Sequence, residues 1–92
     1  MAVTIKLPTQ LRPAAGNASE AEVEGSTVGE ALEALYGRHG ELRARLADDG
    51  GGLRRFVNVY LGGEDIRFLA GLDTPVSDGD ELTILPAVAG GC

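Results

Sequence analysis

A chain of 92 residues with 43% hydrophobic and 24% charged residues is one domain around one small core, burying roughly 60–65% of its unfolded surface. Its 14 acids against 8 bases leave a net charge of −6, which argues against a nucleic-acid binder, since that needs a basic stripe, and predicts a preference for basic partner surfaces. No run approaches membrane-spanning length, and the single cysteine cannot make an internal disulfide.

Val3, Ile5 and Leu7 alternate with Thr4 and Lys6, the period of a half-buried strand, which Pro8 stops. The first six residues lack a signal peptide's apolar core, so a cytoplasmic location is expected. Thr9 to Asn17, holding Pro13 and Gly16, reads as a turn or loose loop. Ala21 and Val23 alternate with Glu20, Glu22 and Glu24 in a second strand, antiparallel to the first, where Lys6 can face a glutamate. Thr27 is a helix N-cap with Glu30 at N3, so that each side chain can accept from the other's backbone N–H. Val28, Ala31, Leu32 and Leu35 then form one apolar stripe, and Gly37 or Gly40 closes the helix. Glu41 to Ala47 is a second short helix with Leu42 and Leu46 inward, and Asp48 to Gly52 a flexible loop.

Arg55 to Leu61 is the third strand. Gly62-Gly63 fits a two-residue hairpin turn, and a short strand through Ile66 pairs back. Leu69 to Val76 is irregular. Asp78-Gly79 turns the chain into the last strand, Glu81 to Leu85, which Pro86 ends for want of an N–H. A hairpin, a crossing helix and further strands make an α+β chain of the β-grasp, or ubiquitin-like, arrangement: a mixed sheet of four to five strands with one main helix on one face. The domain is residues 1–86; residues 87–92 form a flexible tail, Ala-Val-Ala-Gly-Gly-Cys. Fully extended, Ala87 to Gly91 reach roughly 16 Å, and Gly90 and Gly91 let a narrow channel close around the backbone.

Asp78-Gly-Asp-Glu-Leu-Thr-Ile-Leu-Pro86, followed by Val88 and Gly90-Gly91, resembles the closing signature of the ubiquitin-like sulfur carriers, which include the small subunit of molybdopterin synthase and the thiamin-pathway carrier. Arg55 to Leu61, Glu64 to Phe68 and Pro86 to Gly91 are most similar to the actinobacterial carriers of cysteine synthesis. The likeness runs over nearly the whole chain and is weakest around Ala44 to Gly52.

The resemblance implies a carrier with no catalytic side chain and no intrinsic cofactor. An ATP-dependent activating enzyme adenylates the carboxylate of Gly91, and sulfur transfer makes a thiocarboxylate. A pyridoxal-phosphate cysteine synthase adds a serine-derived acceptor to that sulfur, the thioester rearranges to an amide, and a zinc-dependent JAMM-type protease releases cysteine. ATP, pyridoxal phosphate and zinc thus belong to the partners. The implied site is Gly91, with Gly90, Cys92, Ala89 and Val88 in the tail; Phe56, Tyr60, Leu85 and Pro86 are its docking residues, because the family's sheet face docks partners.

Cys92 departs from the family, since it places Gly91 in a peptide bond. An amide from Gly91 to a terminal cysteine is also the covalent structure of the rearranged adduct. Three readings stay open: a residue trimmed by the protease, a residue added to imitate the adduct, or a working thiol, the last without a nearby base to lower its pKa. Two other functions compete with cysteine synthesis: a subunit of molybdopterin synthase, and a protein modifier joined through Gly91 to lysines of its targets. A plain interaction domain with an inert tail is the third.

Elsewhere the ordinary reading prevails. His39 has no ligand-spaced neighbour and is expected as a solvated helix-end residue. Gly50-Gly51-Gly52 lacks the lysine of a phosphate loop, and Asp78 with Asp80 supplies too few oxygens for calcium. Phe56, Asn58 and Tyr60 share one side of their strand and Val57, Val59 and Leu61 the other, so both faces are buried or one is an aromatic docking patch.

Overall fold

The alternating residues at the start of the chain form strand β1, Ala2–Lys6, in the computed structural model, which describes residues 2–47, 52–54 and 57–86. Val3 and Ile5 are fully buried. Strand β2, Glu20–Glu24, pairs antiparallel with it, Val3 opposite Val23 and Lys6 opposite Glu20. Lys6 does face a glutamate there, but its ion pair runs to Glu81 on the other flank, 3.6 Å from Nζ. The connection is not a loose loop. Thr9–Ala15 is a 3-10 helix that buries Leu11, Ala14 and Ala15. Pro13 suits it because proline's fixed φ lies within the 3-10 range.

Helix α1, Val28–Arg38, begins at Thr27, whose Oγ1 accepts from the Glu30 N–H at 3.2 Å. The reciprocal half of the cap is displaced by one residue. Glu30 Oε1 accepts from the Ser26 N–H at 2.9 Å, because the chain on either side of Thr27 is tied down: Val28 N–H donates to Thr74 O, and Val76 N–H to Ser26 O. Val28, Ala31, Leu32 and Leu35 are buried as their spacing predicts, and Tyr36 joins them. Neither glycine closes the helix. Gly37 lies inside α1 and Gly40 opens α2, Gly40–Leu46; the break falls at His39, φ −133° and ψ 80°. The chain restarts as a helix at once, which brings Leu42 and Leu46 into the core.

Strand β3 covers Val57–Leu61; Arg55 and Phe56, expected as its first residues, lie outside the described residues, as do residues 48–51 of the expected loop. Gly62 and Gly63 adopt φ +60° and +97°, the positive values a two-residue hairpin turn needs, and Leu61 meets Glu64 across it. Strand β4 is Glu64–Asp65. Short 3-10 turns, Ile66–Phe68 and Gly71–Asp73, carry the chain to the final turn, where Gly79 has φ +89°. Asp78 Oδ1 there accepts from the Ala2 N–H at 2.8 Å, stapling the last turn to the first strand.

Strand β5 is Glu81–Pro86, so Pro86 continues the strand that it was expected to end. The register explains why. Gly62 N–H donates to Glu81 O, so every second pair from there, Tyr60 with Thr83 and Asn58 with Leu85, exchanges hydrogen bonds. Val57 with Pro86 falls at the alternate, non-bonded position, where β3 asks for no N–H.

The sheet order is β2-β1-β5-β3-β4, with β1 and β5 parallel and the other pairs antiparallel. This is the β-grasp fold. α1 lies on one face, and Val3, Ile5, Val57, Val59, Leu82 and Ile84 meet its stripe in one continuous core.

Candidate functional site

Two short periodicities decide what surrounds the C-terminal residues. β5 sits between β1 and β3, so a buried, doubly paired strand holds the chain up to Pro86. Alternation puts Leu82 and Ile84 inward at 0% exposure and Leu85 outward at 45%. On β3 the same rule buries Val57 and Val59 and leaves Asn58 and Tyr60 half-buried on the outer face. Tyr60 lies opposite Thr83 and Asn58 opposite Leu85, so two expected docking residues, Tyr60 and Leu85, share a diagonal of one open face. Pro86 is placed at the end of the same strand. Phe56, Val88, Ala89, Gly90, Gly91 and Cys92 lie outside the described residues.

The ladder between β1 and β5 has a chemical stop at this end. Thr4 N–H donates to Asp80 O, and in a parallel pair every second residue repeats that bond. Lys6 thereby serves Leu82, and the next donor, for Ile84 O, is position 8. Pro8 has no N–H. A groove of about 350 Å³ opens where the pairing stops, with Lys6, Pro8, Arg12, Glu20, Ile84 and Leu85 among its lining residues.

Three arginines flank this end, and sequence reasoning did not single them out. Arg12 Nε donates to Leu7 O at 3.3 Å, Arg54 Nη2 to Ala44 O at 2.9 Å, and Arg67 Nη2 to Val57 O at 2.9 Å. Their only common sequence signal is adjacency to a strand end or helix end. Phe68, 82% exposed, and Leu69, 42% exposed, were also missed. The signal for Phe68 was available: nothing periodic follows Ile66 that could bury a second side chain.

A second groove, also about 350 Å³, lies beside α1 between Gly29, Tyr36, Leu53 and Leu72. The Tyr36 hydroxyl is pushed up to about 12, chiefly by burial and then by the Glu33 carboxylate, with the Arg43 guanidinium opposing. Arg43 lies 5.0 Å over the Tyr36 ring and 2.6 Å from Glu33, and the hydrogen bond to that carboxylate raises the pKa of the Arg43 guanidinium.

Asp78 and Asp80 spend their carboxylates on the backbone N–H groups of Ala2 and Ser77. His39 is half-buried between the two helices, its N–H on Leu35 O. Among the described residues no group of three His, Cys, Asp or Glu could hold a metal ion, and no helix is long and apolar enough to cross a membrane. What the arrangement offers is therefore a fixed strand end with a face and a groove beside it.

A sequence model of the ThiS family matches residues 5–91. The sulfur carrier protein CysO of Mycobacterium tuberculosis H37Rv is 45% identical over 93 residues, covering 99% of this chain and all of that one. Small archaeal modifier protein 1 of Haloferax volcanii is 40% identical, covering 94% of this chain and 97% of its own length. Among solved structures, the Amycolatopsis orientalis BexX/CysO complex superposes with a TM-score of 0.89 at 48% identity, covering 97% of this chain and 99% of the matched one.

Proposed function

The chain belongs to the ThiS family of ubiquitin-like sulfur carriers, and on that premise we propose that it carries sulfur on Gly91 for the synthesis of cysteine. The observation that carries the reading is the joining of a rigid, doubly flanked β5 to Ala-Val-Ala-Gly-Gly, together with full-length similarity to CysO.

In this reading the Gly91 carboxylate attacks the α-phosphorus of ATP on an activating enzyme and pyrophosphate leaves. A sulfur nucleophile then displaces AMP, leaving a thiocarboxylate. A pyridoxal-phosphate cysteine synthase delivers the serine-derived carbon skeleton to that sulfur. The new amine attacks the thioester carbonyl, moving the acyl group from sulfur to nitrogen and leaving cysteine in amide linkage to Gly91. A zinc protease hydrolyses that amide. The carrier contributes its C-terminus and its docking face, Tyr60 and Leu85 included, and the chemistry belongs to its partners. Complex formation by the Amycolatopsis relative with BexX supports a carrier that works by docking.

Gly91 lies in a peptide bond to Cys92, so in this reading a protease removes Cys92 before activation. The intact mass of the protein purified from its own host tests this. Loss of Cys92, with a companion species in which one sulfur replaces one oxygen, is expected. An untrimmed chain as the sole species would refute the proposal.

Similarity to small archaeal modifier protein 1 favours a second reading, isopeptide attachment of Gly91 to target lysines. Its own sequence limits self-attachment, because Lys6 is the only lysine. Lysate proteins bearing a Gly-Gly remnant dependent on this chain would support it.

A further inference from the structure

Charge is distributed unevenly along the strands. The register places Ala2, Glu24, Leu61 and Glu81 at one end of the sheet and Lys6, Glu20, Val57 and Pro86 at the other. The first end collects Glu24, Glu64, Asp65, Asp78, Asp80 and Glu81, with no lysine or arginine on its two turns, Gly62–Gly63 and Ser77–Asp80. The second end, from which the C-terminal residues depart, is flanked by Arg12 and Arg54. Arg12 shares the groove with Leu85, and Arg54 O accepts from the N–H of Val57, the residue opposite Pro86.

Both guanidiniums rest on backbone carbonyls, Leu7 O and Ala44 O, and neither meets a carboxylate among the described residues. A carbonyl fixes a guanidinium's direction without neutralising it. Arg54 Nε is moreover buried with no hydrogen-bond partner among the described residues. Contrast Arg43 and Arg45, each paired with an acid on the helices. Among the described residues, two pre-positioned guanidiniums without an ion-pair partner thus stand at this end, with Glu20 in the same groove as Arg12.

We propose that the surface around Pro86, with Arg12 and Arg54 on either side and Leu85 between, docks on a carboxylate-lined rim at the mouth of the channel in the activating enzyme. This rests on the carrier reading above and differs, for this end of the sheet, from the expectation of a basic partner surface drawn from net charge alone. An acidic rim attracts the arginine end and repels the Glu64–Glu81 end, so the chain approaches tail first. Leu85 supplies the apolar contact such a rim surrounds.

The test is ATP-dependent activation of the chain ending at Gly91 by the purified activating enzyme of the same host, followed as kcat/KM against salt. Arg12→Glu should lower kcat/KM about tenfold at low ionic strength, through KM with kcat unchanged, and the gap should shrink to about twofold near 1 M salt. Arg12→Gln should fall between, and serves if the Glu variant melts early. Glu64→Lys, a charge change of the same size and opposite sign at the far end, should stay within about twofold of the parent. A folded Arg12→Glu variant with the parent's kcat/KM, or a loss unaffected by salt, overturns the acidic rim and leaves the carrier reading standing. No activation of the parent chain overturns both.

Discussion

Adjacent residues of β5 should separate stability from docking. Ile84 is fully buried opposite Val59, and Leu85 is 45% exposed opposite Asn58. Ile84→Ala removes every side-chain carbon beyond Cβ from the core. At about 0.8 kcal/mol per carbon, plus a cavity term because two flanking strands hold the site open, the loss is about 3–4 kcal/mol. Leu85→Ala removes a side chain already half in water and should cost less than about 1 kcal/mol. Urea unfolding followed by circular dichroism reads both. With a denaturant slope of about 1 kcal/mol per molar, the Ile84 variant's midpoint falls by about 3 M and the Leu85 variant's by less than 1 M. Activation assayed under folded conditions should reverse the order, with Leu85→Ala raising KM several-fold and Ile84→Ala close to the parent. Equal loss of stability in the two variants would refute the assignment of Leu85 to a docking face.

Removing Cys92 alone should permit activation by ATP, while removing Gly91 with it should abolish activation; pyrophosphate release measures both. Thr27→Ala should cost about 1 kcal/mol in thermal unfolding, because the Glu30 N–H loses its acceptor at the start of α1. Tyr36→Phe should change the alkaline limit of stability. Folded Tyr36 keeps its proton to about pH 12 and the unfolded chain loses it near the ordinary value of 10.0, so the folded state binds more protons between them. That stability is whole below pH 10 and declines as pH rises toward 12, by about 2 kcal/mol. The Phe variant should lack this share of the decline in urea midpoints taken across the same range.

The sequence made the fold legible wherever a period coincided with a boundary. Val3 and Ile5, the stripe from Val28 to Leu35, and the paired glycines of the β3–β4 turn each carry pattern and punctuation together, and each lies where expected. Misreadings came where a residue's usual habit met a particular register or neighbour. Pro13 and Gly16 signalled a loop, yet Leu11, Ala14 and Ala15 had an inward face that only the packing of a 3-10 helix reveals. Gly37 and Gly40 were plausible helix ends until α2 followed without a loop. Pro86 read as a strand breaker because hydrogen-bonding parity depends on Gly62 meeting Glu81, a pairing across nineteen positions that no local window contains. The closing motif pointed to the family, whereas the arginines near Pro86 carried no such signal. Arg12 and Arg54 lie 42 positions apart in sequence, and each is placed near this end of the sheet only through the register, Arg12 after β1 and Arg54 before β3.

The same convergence gives the two prolines a joint meaning. Pro8 withholds the donor that would extend β1 along β5, and Pro86 withholds the donor that β5 would offer back. Both lie at the end where the parallel ladder would otherwise run on toward the C-terminus. A carrier must satisfy two opposed demands: its terminal strand has to be held firmly enough to define a docking surface, and its last residues must owe no hydrogen bonds to the domain when a partner's channel takes them. Two missing N–H groups meet both demands without weakening the antiparallel side, because Pro86 sits at a non-bonded position of the β3 ladder. Firm anchoring of β5 therefore comes from β3 and the buried Leu82 and Ile84, and the ladder stops on the β1 side. The groove that Arg12 shares with Leu85 is the space this interruption leaves, so the feature that ends the ladder also shapes the surface proposed to dock.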